Sequence, residues 1–292
     1  MQPWPGLEGY ASQFKLPRAG IELFCYQAGA SEQPPALLIH GLGDEADTWR
    51  YLIEPLSRRW RIVAPDLPGF GRSPSLPAGS SFARYEQTLL ELLEMLGSQR
   101  CLLVGHSLGG LLAQAVALQR PGQVAGLVLL DGGLAVRSQP LSLPMLLFLL
   151  PGLGEWLYNR LRRDSQAAFE TLRPYYAELE ALPSAERDFL YRRVNQRVWS
   201  DKQRRAYLST LRSLVPTVAR LQKDFAAKLA LLDLPTLVIW GQLDRINPLE
   251  NGQALVQLQP SARLAVIPGA GHMPHQERPQ AVLEAVLSDD RF

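Results

Sequence analysis

Six runs in this chain, at 36–39, 61–64, 101–104, 127–130, 236–240 and 264–267, are short, rich in Val, Leu and Ile, and free of polar alternation. A strand with one wet face alternates apolar and polar residues, so runs of this kind belong to strands covered on both faces, as in a parallel sheet. Helical periodicity occupies the intervals at 48–57, 82–96, 107–119, 249–258 and 280–287. Ahead of them, 14–16 and 21–26 are joined through Arg18-Ala19-Gly20 and read as an opening antiparallel hairpin. The pattern predicts an α/β fold, a mostly parallel eight-stranded sheet flanked by helices.

One interval breaks the alternation. From 134 to 232 there is no convincing strand, only helical patterns punctuated by prolines. The expected organisation is a core of 1–133 and 233–292, with a helical cap of 134–232 inserted after the sixth strand. In the second half of the cap, Phe189, Leu190, Val194 and Val198 recur at helical spacing. Arg187, Arg192, Arg193, Arg197, Arg204 and Arg205 fall largely between them, which reads as a solvated basic face over an apolar stripe.

A chain of 292 residues with 47% hydrophobic content is long enough to bury a large core. Thirty basic against twenty-eight acidic residues leave a net charge of +2, no electrostatic reason to expect nucleic acid or an anionic membrane as partner. The apolar run 141–150 is interrupted by Pro144 and ended by Pro151, far short of the roughly 20 residues of a transmembrane helix. The opening residues Met1-Gln2-Pro3-Trp4-Pro5-Gly6 lack the basic and apolar segments of a signal peptide, so the cytoplasm is the expected location. Cys25 and Cys101 lie in apolar runs and read as small buried hydrophobes. With no metal-type Cys/His cluster, no cofactor is expected.

The chemistry gathers at the strand ends, where ligands bind in sheets of this kind. Gly105-His106-Ser107-Leu108-Gly109 joins an apolar strand to a helical stretch, and glycines two residues either side of Ser107 permit a turn tight enough to hold the serine in a strained conformation. Its hydroxyl then projects from the sheet edge as a nucleophile. A serine hydroxyl needs a base, and the base an orienting acid. Of four histidines, His272 follows the last strand through Pro268-Gly269-Ala270-Gly271, a loop able to carry an imidazole across the strand ends. His106 adjoins the serine and should point away from the hydroxyl. His275, with no strand before it, reads as a surface residue or one packed behind the site. His40 reads as holding its own loop through hydrogen bonds.

For the acid, Asp244 is the first choice, in Gly241-Gln242-Leu243-Asp244 at the end of its strand, and Asp131 is the rival. Asp66 reads as structural, tying down a glycine-rich loop. An oxyanion on the attacked carbonyl needs two N–H donors. Leu108, at a helix start, and Leu42, in the turn His40-Gly41-Leu42-Gly43, are the choices, each worth about 3–4 kcal/mol of barrier. The cap opens with Leu143, Met145, Leu146, Leu147, Phe148, Leu149 and Leu150, followed by Leu153, Trp156, Leu157 and Tyr158. From this surface Phe148 and Trp156, with Gly41 and Met273 beside the site, are expected to line a substrate pocket.

Taken in order, His40-Gly41-Leu42-Gly43, Asp66-Leu67-Pro68-Gly69-Phe70-Gly71-Arg72-Ser73, Gly105-His106-Ser107-Leu108-Gly109-Gly110, Gly241-Gln242-Leu243-Asp244 and Gly269-Ala270-Gly271-His272 resemble the capped, single-domain α/β-hydrolases. The resemblance implies the α/β-hydrolase fold and a nucleophile, acid, histidine order on Ser107, Asp244 and His272. It implies an oxyanion hole on Leu42 and Leu108, and a cap that decides the substrate. The expected activity is cleavage of carboxylic esters of small to medium, apolar acyl substrates through an acyl-serine. A carbon-carbon bond hydrolase of ring-cleavage products is the alternative, although such enzymes often carry an aromatic where Met273 follows His272. A non-catalytic ligand receptor on the same scaffold is a third reading.

Overall fold

The computed structural model describes residues 1–97, 99–134 and 143–292. All eight expected strands form, as β1 (Ala11–Leu16), β2 (Ile21–Ala28), β3 (Pro35–Ile39), β4 (Arg61–Pro65), β5 (Cys101–His106), β6 (Val124–Leu130), β7 (Thr236–Gly241) and β8 (Ala262–Ile267). They make one sheet in the order β1-β2-β4-β3-β5-β6-β7-β8. The hairpin β1-β2 and its junction with β4 are antiparallel, and every later pairing is parallel.

Successive strand residues face opposite layers. Leu37, Ile39, Leu103, Leu129 and Val238 pack in one core with Leu89 and Leu92 of α2 (Phe82–Met95) and Leu112 and Val116 of α3 (Leu108–Gln119). Leu38, Val104, Val128, Leu130 and Ile239 pack in the other, with residues of α1 (Ile53–Ser57) and of the last helix, Pro279–Leu287. Both faces are therefore covered, as the unalternating runs require. The exception is β8, at the edge of the sheet, where Arg263 and Val266 are exposed; a strand with one neighbour has less of its surface to bury. The expected helix at 48–57 is broken, into a 3₁₀ turn at Ala46–Trp49 and α1.

Between β6 and β7 the described residues hold no strand. They form α4 (Leu143–Leu149), α5 (Leu153–Arg160), α6 (Ser165–Glu170), α7 (Ser184–Trp199) and α8 (Asp201–Ala230), with short 3₁₀ turns between. The start of the expected cap, 135–142, and the side chains of Leu143 and Pro144 lie outside the described residues. After β7 come α9 (Leu249–Leu258), α10 (Pro274–Glu277) and α11 (Pro279–Leu287). Among the described residues no helix is long and apolar enough to cross a membrane.

The parallel registers Ile39↔Gly105, His106↔Leu130, Leu130↔Ile239 and Gly241↔Ile267 bring the carboxyl ends of β3, β5, β6, β7 and β8 to one edge. The loops carrying Leu42, Ser107, Asp131, Asp244 and His272 leave the sheet there.

Candidate active site

Ser107 sits between β5 and α3 with φ 53° and ψ −117°. Left-handed backbone is costly for a residue with a Cβ. The turn is held by the Ser107 N–H, which donates to the Leu130 carbonyl at 2.9 Å, and by the absence of side chains around it. A Cβ at Gly109 would overlap the Ile39 carbonyl, and one at Gly105 would overlap the backbone of Gly109. At the start of α3 the N–H groups of Gly110 and Leu111 donate to the Ser107 carbonyl at 3.0 and 3.4 Å. On its other side, a Cβ at Gly41 would stand 3.2 Å from the Ser107 Cβ, so the turn after β3 packs against Ser107.

His272 is fixed from three directions. Its N–H donates to the Tyr175 carbonyl at 2.8 Å, and its own carbonyl lies 2.8 Å from His106 Nε2. Its Nδ1 lies 2.7 Å from Asp244 Oδ2. The other carboxylate oxygen of Asp244 accepts the N–H groups of Ile246 and Asn247 at 2.8 and 2.9 Å. A buried carboxylate with three donors is a strong acceptor, and it directs the imidazole so that Nδ1 carries the hydrogen and Nε2 is free to act as a base.

Ser107 and His272 open onto one cavity of about 220 Å³, which Gly41, Leu42, Phe148 and Met273 also line. Most of the rest of the wall is apolar and comes from the helical segment, through Tyr158, Leu161, Leu172, Leu190, Val194 and Val198 among others, while His106, Thr171, Gln203 and Gln276 add polar groups. Asp44 and Arg197 line it too, and neither was expected from the sequence. They face each other as an ion pair, Arg197 Nη2 to Asp44 Oδ1 at 2.5 Å, with Glu45 2.7 Å away on the same guanidinium.

The supporting residues behave largely as the sequence suggests. His40 accepts the Leu67 N–H on Nε2 at 2.8 Å and so donates from Nδ1 to the Gly41 carbonyl, also at 2.8 Å. Asp66 accepts the N–H groups of Ala46 and Arg72 and a double contact from the Arg72 guanidinium. Burial would raise this carboxyl, but the Arg72 charge and hydrogen bonds outweigh it and hold the group below its usual range. His106 engages the His272 carbonyl through Nε2, and burial, then the nearby His272, depress it to about 3. It is a neutral brace.

The alpha/beta hydrolase fold family model matches residues 34–279. The chain belongs to the α/β-hydrolase fold family. This α/β-hydrolase is 31% identical over 273 residues to pimeloyl-[acyl-carrier protein] methyl ester esterase of Edwardsiella ictaluri (strain 93-146), covering 90% of this chain and 95% of the relative. It is 29% identical over 288 residues to 2-hydroxy-6-oxononadienedioate/2-hydroxy-6-oxononatrienedioate hydrolase 2 of Pseudomonas putida, covering 96% of each. Among solved structures it resembles a thermophilic esterase from Thermogutta terrifontis, with TM-score 0.71, 27% identity and 95% and 96% of the two chains covered.

Two expectations for this α/β-hydrolase need correction. Trp156 does not line the cavity: it is 52% exposed, with the Arg160 guanidinium over its ring. Residues two apart on a helix point to opposite sides, and in α5 Tyr158 takes the inward one. Of the two readings of His275, the one packed behind the site holds: it is fully buried, its Nε2 2.7 Å from Thr48 Oγ1 and its ring 4.7 Å from that of His106. Arg193 and Arg197 do not belong to a solvated face, since both are paired with acids of the loop after β3. Nothing in the local periodicity marks those partners, which stand about 150 positions away in the chain.

Proposed function

We propose that this α/β-hydrolase is a serine hydrolase that cleaves carboxylic esters of small to medium, apolar acyl groups. The observation that carries the reading is the convergence of the strained Ser107 and the Asp244-held His272 on one cavity with a largely apolar wall. His272 Nε2 takes the hydroxyl proton as Ser107 Oγ bonds to the acyl carbon, and the carbonyl π pair moves onto oxygen. The N–H groups of Leu42 and Leu108 receive that charge, and Asp244 stabilises the imidazolium. Collapse expels the alcohol, which leaves with the proton from His272. Water, activated by the same imidazole, then releases the acid. In this reading residues 134–232 act as a cap over the core of 1–133 and 233–292, with Phe148, Gly41 and Met273 contacting substrate.

The Pseudomonas putida relative supports a second reading, cleavage of a carbon-carbon bond in a ring-cleavage product by the same groups. That relative's substrate is a dianion by name, whereas Arg197, the one arginine lining this cavity among the described residues, is already neutralised by Asp44 and Glu45. An apolar acyl chain fits the wall better. Hydrolysis of p-nitrophenyl esters of two to ten carbons checks the choice. The expected result is turnover peaking at short to medium chains and falling by about 10³-fold or more in Ser107→Ala. Inertness to every ester, with turnover of a ring-cleavage dienoate, assigns the second reading; inertness to both leaves a ligand receptor.

A further inference from the structure

Asp131, passed over by the mechanism above, closes β6 in a site that a merely structural turn residue would not need. Among the described residues only two non-glycines have positive φ, Ser107 and Asp131, the latter at 46°. Asp131 is fully buried. One oxygen of its carboxyl, one of Asp244 and an imidazole nitrogen of His272 all lie within 4.8 Å of one another.

The two carboxyls are unequally served. Asp244 has three donors: two backbone N–H groups on Oδ1 and the imidazole on Oδ2. Asp131 has one, the Gly241 N–H on Oδ1 at 2.8 Å, while its buried Oδ2 has no donor at all. A buried carboxylate oxygen facing a second carboxylate is unsatisfied as an acceptor, but becomes a satisfied donor once it carries a proton. Two like charges this close in a dry site do not both ionise, and the proton goes to the member with fewer donors.

We propose that Asp131 and Asp244 form a carboxyl pair sharing one proton, in which Asp131 is a positioning residue that donates a hydrogen bond to the Asp244 carboxylate. A single negative charge thereby faces His272, and the acceptor of its Nδ1–H is held in place. The inference rests on the reading of His272 as the base. Burial first, then the Asp244 charge, pushes the Asp131 carboxyl well above its usual range, in keeping with this assignment. The other titratable groups facing the cluster are His106 and Tyr175, whose rings lie 4.9 and 5.8 Å from His272, with His275 4.7 Å beyond His106. Glu277 acts on Asp131, and Asp44 acts on His106 and Tyr175.

Two measurements on the full chain test the pair. Infrared difference spectra of wild type minus Asp131→Asn at pH 7 are expected to show the C=O stretch of a protonated carboxylic acid that shifts in D₂O, and the same difference is expected in a Ser107→Ala background. A difference spectrum with no protonated carboxyl band overturns the pair. In pH profiles of kcat/KM, Asp131→Asn replaces an O–H donor by an N–H donor without changing charge. Activity within about threefold of wild type and an unmoved acid limb are expected, with Asp131→Ala, which has no donor, falling at least about tenfold. An acid limb lowered by about one unit or more in Asp131→Asn means that a negative charge was removed, and overturns the proposal. So does equal loss in the two variants. Should Ser107→Ala keep full activity, the serine-hydrolase reading fails while the infrared result stands by itself.

Discussion

Phe148 and Trp156 belong to neighbouring helices of similar apolar character, yet one faces the nucleophile's cavity and the other faces water. Phe148→Ala is expected to open the wall and move the preferred acyl length upward by two or more carbons, while Trp156→Ala leaves the chain-length profile unchanged within about twofold. Kinetics on the p-nitrophenyl series separate the two; equal effects would mean that the inner wall is not where substrate lies. That Ser107, Asp244 and His272 come together at one sheet edge was legible in the sequence because glycine and strand-end context constrain their loops locally. Which of its two readings holds for His275 was not legible there, since its burial depends on Thr48 and Trp49, more than two hundred positions earlier, and on no feature of its own loop.

Helix α7 meets the loop after β3 through charge. Arg193 pairs with Asp47 at 2.5 Å and with Glu45 at 3.2 Å, and Arg197 joins Glu45 to Asp44. These groups are largely out of water, so removing one partner strands the others. Arg197→Leu is expected to destabilise the protein by about 3–5 kcal/mol in urea unfolding. A loss under about 1 kcal/mol would show that Asp44 and Glu45 find other partners. The periodicity of 186–214 disclosed the apolar stripe, and Leu190, Val194 and Val198 are indeed buried. It could not show which arginines turn inward, because the acids that draw them in belong to another element.

Across the whole molecule the sheet was legible because unalternating runs have few other solutions, and the hairpin at its start follows from turn chemistry. The interior also holds a consequence for stability. His40, His106 and His275 are buried, and burial, the leading cause in each case, depresses all three, His106 to about 3. Above the ordinary histidine value of about 6.5 the folded and unfolded chains are both neutral at these positions and pH has no leverage. Below it the unfolded chain takes up protons that the folded chain refuses, until the folded groups titrate. This contribution is therefore full above about pH 6.5 and is lost below it, down to about pH 3 in the case of His106, by up to about 1.4 kcal/mol per pH unit for each histidine while its folded form stays neutral. Asp66, held low by Arg72, adds to the loss once pH drops below the carboxylate range. Unfolding free energies measured by urea at pH 7, 6 and 5 are expected to decline in that order; a flat series would mean that the buried imidazoles accept protons in place.

The nucleophile itself is open to a chemical test. A fluorophosphonate probe reacts with a serine only where a base and an oxyanion site activate it. Labelling of the native protein followed by peptide mapping is expected to give one adduct, on Ser107, that is lost in Ser107→Ala and suppressed by a competing short-chain ester. A wild-type protein that takes no label, or an adduct that persists in Ser107→Ala, would contradict the assignment of Ser107, His272 and Asp244 as the hydrolytic machinery.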